Sequence, residues 1–151
     1  IVLFGLVYLR FGVKAYPVVS YYHNFTQYVG GKKSLDSYMT WFDQRMVRNY
    51  RVANYIKARS QKDDKIYVWG TEPELYVLTD RLPAGKLIVS FHVEDLKAYE
   101  MTLNWVRVER PVYVVWMESE PRNFEGLKQL LETDYRLVTE FDDAWIYKLM
   151  I

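Results

Sequence analysis

Three short stretches of the chain are almost wholly apolar, and helical periodicity separates them. Ile66-Tyr67-Val68-Trp69 is β-branched and aromatic without a charge, which predicts a strand buried on both faces of a sheet. Leu87–Phe91 and Val112–Met117 read the same way. From about Leu35 to Arg59 the period is helical, with Met39, Phe42, Met46, Ala53 and Ile56 on one stripe and Ser34 or Asp36 as the cap. Arg45, Arg48, Arg51, Lys57 and Arg59 then form a solvated basic face. A two-turn helix through Leu75, Tyr76 and Leu78 stops before Pro83. A longer one, about Glu94 to Glu109, carries acids at its start and arginines at its end, as the helix dipole favours. It has two apolar stripes. Leu96, Tyr99, Leu103 and Val106 face the sheet, and Ala98, Met101, Trp105 and Val108 are left as a candidate interface. A last helix, about Asn123 to Thr133, turns Phe124, Leu127, Leu130 and Leu131 inward. Tyr135–Phe141 and Ala144–Met150 follow as a hairpin about Asp142-Asp143.

Strand, helix, strand, helix, strand, helix and hairpin in that order imply right-handed crossovers. The expected fold is an α/β three-layer sandwich, a mainly parallel Rossmann-like sheet with a C-terminal antiparallel hairpin. Ahead of it, Ile1 to Leu9 carry no charge, yet a bilayer span takes roughly 20 apolar residues. Residues 1–15 therefore read as the end of a truncated transmembrane helix, with a short buried element as the alternative. Residues 16–35, with Pro17 and Gly30-Gly31, read as a connector, and residues 36–151 as the soluble α/β domain. Tyr8, Tyr16, Tyr21 and Tyr22 suit an aromatic belt at a membrane boundary. Asn24-Phe25-Thr26 matches the N-glycosylation acceptor pattern.

Composition narrows the chemistry. Twenty basic and nineteen acidic side chains give a net charge of +1, which sets nucleic acid aside as a partner. Without cysteine there are no disulfides and no thiolate metal sites. Gly70 is followed by Thr-Glu-Pro, so the phosphate-binding glycine pattern is missing. His23 and His92 are the only histidines, which leaves little to hold a metal. No serine has the context of a nucleophile elbow.

What remains is the carboxyl end of the first strand, where open α/β sheets bind ligands. Trp69, Glu72, Tyr76, Arg81 and His92 are the candidate substrate- or ligand-binding residues, and none is assigned a catalytic role. Glu72 at the start of a short helix is also explained as an acid stabilised by the helix dipole, and Arg81 is placed to pair with it.

Tyr50–Lys57, Asp63–Gly70, Glu72-Pro73, Leu75-Tyr76 and Arg81–Ala84 together resemble the C-terminal region of polytopic GT-C type glycosyltransferases. These are the enzymes related to dolichyl-phosphate-mannose protein mannosyltransferases and bacterial polyprenyl-phosphate-sugar transferases. The resemblance spans roughly Tyr21 to Met150 and is densest from Tyr50 to Pro83. It implies a membrane-anchored domain on the extracytoplasmic side, periplasmic or extracellular, whose first partner is the transmembrane domain of the same protein. A lipid-linked sugar donor or acceptor is the further partner. The resemblance also implies that the catalytic acids belong to an early loop outside this chain. No cofactor is expected in this fragment, and any divalent metal belongs to that membrane part. The alternative is a small-molecule-binding α/β module of a membrane-attached protein.

Overall fold

β1 (Lys65–Trp69) forms as its composition predicts and lies between two parallel neighbours, β2 (Leu82–Pro83) and β3 (Tyr113–Met117). In the computed structural model, which describes Arg10 and residues 17–150, the five strands run in the order β2-β1-β3-β5-β4. β4 (Tyr135–Phe141) and β5 (Ala144–Leu149) are the expected hairpin. β5 docks antiparallel on β3, so two pairings are parallel and two antiparallel. The fold is mixed α/β. A mainly parallel sheet is not what forms, because a hairpin strand reaches its neighbour without the crossover that a parallel partner requires.

The chain divides into two compact units, Ile1–Asp43 and Gln44–Ile151. In the first, α1 (Val18–Val29) occupies the segment read as a connector. Its residues carry no lysine, arginine or carboxylate, and Gly31 turns the chain beyond it with φ of 72°. α2 (Leu35–Thr40) is capped by Ser34, whose hydroxyl accepts from the Ser37 N–H. The long helix expected to follow is interrupted after Thr40, where Phe42 packs edge-on against Tyr21 and Tyr38. Asn24 of the glycosylation pattern is buried; its amide donates to the Tyr38 carbonyl and accepts from Lys33. The end of a transmembrane helix read in residues 1–15, with Tyr8 and Tyr16 of the belt, lies outside the described residues apart from Arg10. Among the described residues no helix is long and apolar enough to cross a membrane.

In the second unit α3 (Arg45–Lys57) and α4 (Glu74–Thr79) cover one face of the sheet, and α6 (Tyr99–Glu109) and α7 (Glu125–Asp134) the other. Alternation along the strands sorts the core between them. Ile66, Val68, Val115 and Met117 meet Val52, Ile56 and Leu75, whereas Tyr67, Trp69, Val114 and Trp116 meet Leu103, Val106, Leu127 and Leu131. The strand expected at Leu87–Phe91 is not one. Leu82–Pro83 pairs with β1 in its place, at an edge where proline is tolerated. Gly85, at φ 85°, then turns the chain under Trp105, whose ring lies where a Cβ would be. Residues from Ser90 belong to α5 (Ser90–Asp95). Lys97, at φ 51°, breaks the expected Glu94–Glu109 helix into α5 and α6. Of the candidate interface stripe, Met101 and Val108 are exposed and Ala98 is buried.

Candidate functional site

At the carboxyl end of β1 the chain leaves the sheet through Gly70 and re-enters a helix at Pro73, whose φ of −63° suits a first turn. Glu72 sits between them, buried, with both oxygens engaged. Oε2 accepts from the Thr71 N–H at 2.8 Å, and Oε1 accepts from Arg48 Nη2 at 3.0 Å. Arg48 comes from α3 and is itself buried. Its Nη1 also pairs with the Asp143 carboxylate in the hairpin turn, and Asp143 in turn accepts from the Ser119 hydroxyl. Beside it Asn49 donates to Glu74 at 2.6 Å. One guanidinium thus ties α3, the β1–α4 turn and the β4–β5 turn together. Burial pushes the Asp143 carboxyl up, but the hydrogen bonds from Ser119 and Arg48 outweigh it and hold the group below its ordinary range.

The other four candidates have separate surroundings. Trp69 is fully buried, its indole N–H donating to the Arg122 carbonyl at 3.1 Å and its ring packed on Phe124. Tyr76 accepts the Val68 N–H at 3.0 Å through its phenol oxygen, and burial holds that phenol well above its usual range. Arg81 donates to Ser60 and to the carbonyls of Ser60, Thr79 and Asp80, so it closes the end of α4 and does not pair with Glu72. His92 is exposed on α5 beside Phe91. Tyr76 and Arg81 alone share a concavity, of about 550 Å³, with the exposed side chains of Val77 and Leu82.

A second polar group stands at the same end of the sheet. Glu120 accepts from the Ser90 hydroxyl at 2.5 Å and from Arg122 Nη1 at 2.8 Å, and Arg122 Nε reaches Glu94 at 2.6 Å. Burial raises the Glu120 carboxyl while Ser90 and Arg122 lower it, and the net direction is down. Among the described residues no group of three or more histidines or carboxylates is placed to hold a metal.

Arg48 is expected on the solvated face of its helix, yet it is buried. The signal against that was its spacing of four and eight from Val52 and Ile56, which puts it on the buried stripe. Asp143 had no local signal, since its partner lies 95 residues away.

Among curated proteins none matches this chain. A solved structure, the C-terminal globular domain of oligosaccharyltransferase from Archaeoglobus fulgidus, is similar with a TM-score of 0.44 and 13% identity. The similarity covers 66% of this chain and 95% of that one. Residues 47–149, which include the whole sheet and its covering helices from Arg48 onward, match the family described as "Putative competence-induced protein Ccs4 C-terminal domain", and the chain belongs to that family.

Proposed function

We propose that this chain is the non-catalytic, extracytoplasmic C-terminal domain of a membrane glycosyltransferase that transfers a sugar from a polyprenyl-phosphate donor to an acceptor. The resemblance carried by Tyr50–Ala84 names the enzyme class. The observation that carries the accessory role is the state of Glu72. A reacting acid needs a face open to substrate, and both oxygens of this one are committed to Thr71 and Arg48 in a buried pair. Trp69, Tyr76 and Arg81 are likewise engaged by backbone or packing groups that a ligand would have to displace. In this reading the domain packs on the transmembrane part, with Met101 and Val108 as exposed apolar contacts on α6.

Incubation of chain 1–151 with a polyprenyl-phosphate sugar and acceptor is expected to give no transfer. The full-length protein, which should carry many spans and an acidic first loop upstream, is expected to give it. Turnover by the chain alone, or an upstream sequence without spans, overturns the reading.

A further inference from the structure

α1 is turned inside out for a helix in water. Val18, Tyr22, Phe25 and Val29 follow one another at helical spacing, so they share a stripe, and each is between 45% and 66% exposed. Ser20, His23, Asn24 and Gln27 lie on the other side. There Asn24 is buried, its side-chain amide donating to the Tyr38 carbonyl at 3.3 Å and accepting from Lys33 Nζ at 2.9 Å. The polar side is thus the one that packs, and the apolar stripe is left outward. Aromatic contacts extend it. Tyr21 meets Tyr22 edge-on at 6.1 Å between ring centroids, and Trp41 and Phe42, just beyond α2, at 6.4 and 5.1 Å. All four of these rings are exposed.

An apolar stripe flanked by phenols and an indole suits the boundary of a bilayer, where ring faces sit among the upper acyl chains and their polar tips stay wet. Charge selects the same partner. Four of the twenty basic side chains, Arg10, Lys14, Lys32 and Lys33, and none of the nineteen acidic ones fall in residues 1–35. An anionic lipid surface meets that excess of cations, whereas a second copy of the same unit would bring like charge against like. The stretch directly ahead of α1, outside the described residues, agrees in composition, since Ile1–Leu9 hold no charge. We propose that α1 lies in the plane of an anionic membrane surface, with Val18, Tyr22, Phe25 and Val29 seated in its interfacial layer. The inference goes beyond the glycosyltransferase reading and does not rest on it. Its test reads lipid contact alone, so it and the transfer assay can fail independently.

The chain has no cysteine, so Val29→Cys and Val77→Cys each take a single polarity-sensitive thiol label. Both positions are exposed, the first on the stripe and the second on α4 in the other unit. Chain 1–151 carrying either label is titrated with vesicles of phosphatidylglycerol and phosphatidylcholine. The label at 29 is expected to shift to the blue and to lose access to aqueous iodide, and the label at 77 to change in neither respect. Val18→Asp with Tyr22→Asp, made at exposed positions in the amino-terminal half of the helix where acids are tolerated, should weaken vesicle binding at least about tenfold with the thermal melt unchanged. Residues 1–9 are common to every variant, so a difference between variants reports on α1. A label at 29 left unchanged by vesicles, or shifted no more than the label at 77, overturns the proposal. So does binding that the Asp pair leaves intact, or a blue shift that follows protein concentration without lipid, the mark of a second copy on the stripe.

Discussion

Glu72 Oε2 occupies the space a side chain on Gly70 would need: a Cβ built there falls 2.6 Å from that oxygen and 2.5 Å from Met117 Cγ. The glycine at the end of β1 is required by close approach, since its φ lies outside the left-handed region. Gly70→Ala therefore has to displace the carboxylate from Thr71 N–H and Arg48, or shift Met117 in the core. Urea unfolding should show a loss of about 1–3 kcal/mol, as for other overpacked sites. An unchanged midpoint would mean that Glu72 is not held where the structure puts it.

Arg48 and Glu72 have side chains only 4% and 5% exposed, so removing one charge strands the other out of water. Arg48→Met is expected to cost about 3–5 kcal/mol, and Arg48→Met with Glu72→Gln markedly less than the sum of the single changes. Arg45 also reaches Glu72, at 3.8 Å, but is 56% exposed, and Arg45→Ala should change stability by no more than about 0.5 kcal/mol. A double-mutant cycle by denaturant melting distinguishes these cases; additive effects at 48 and 72 would contradict a coupled pair.

Tyr76 satisfies a backbone donor inside the first strand, accepting from Val68 N–H where both residues are buried. Tyr76→Phe keeps the ring and leaves that N–H unsatisfied, a loss of about 1–3 kcal/mol. Amide exchange at Val68 should quicken in the variant. Exchange as slow as in the parent protein would show that the phenol is not its acceptor.

Acid should weaken the second unit through Asp143 and Glu120. Both carboxyls are held below their ordinary range in the folded state, so the unfolded chain binds protons more readily than the folded one. Their contribution is complete above the unfolded value, about 4, and is lost as pH falls through the lower folded values. Thermal melts from pH 6 to pH 2 should fall along a steep limb below about pH 4. Asp143→Asn should flatten that limb; a limb of the same steepness would remove Asp143 from the account.

The elements visible in the sequence were those whose reasons are local. Ile66–Trp69, Val112–Met117 and the closing hairpin follow from uninterrupted β-formers, and the hairpin forms even with Asp142-Asp143 at its turn because Asp142 takes a φ of 52°. What the sequence hid depends on distant partners. Leu87–Phe91 has strand composition, but Gly85 lodges under Trp105, and β1 takes Leu82–Pro83 as its neighbour. Parallel versus antiparallel placement of β5 on β3 is likewise a tertiary choice. At the candidate site, Arg81 turns to Ser60 and the guanidinium that meets Glu72 comes from Arg48, a helix away in sequence from the stretch that carries the glutamate.

The most direct test of the accessory role is the rate of sugar transfer by the full-length protein carrying Glu72→Gln, corrected for the folded fraction. If Glu72 serves the architecture through Arg48 and Gly70, the corrected rate should equal that of the unaltered protein. A fall of about 10²-fold or more with an unchanged melting curve, the size expected for loss of a general acid or base, would contradict it.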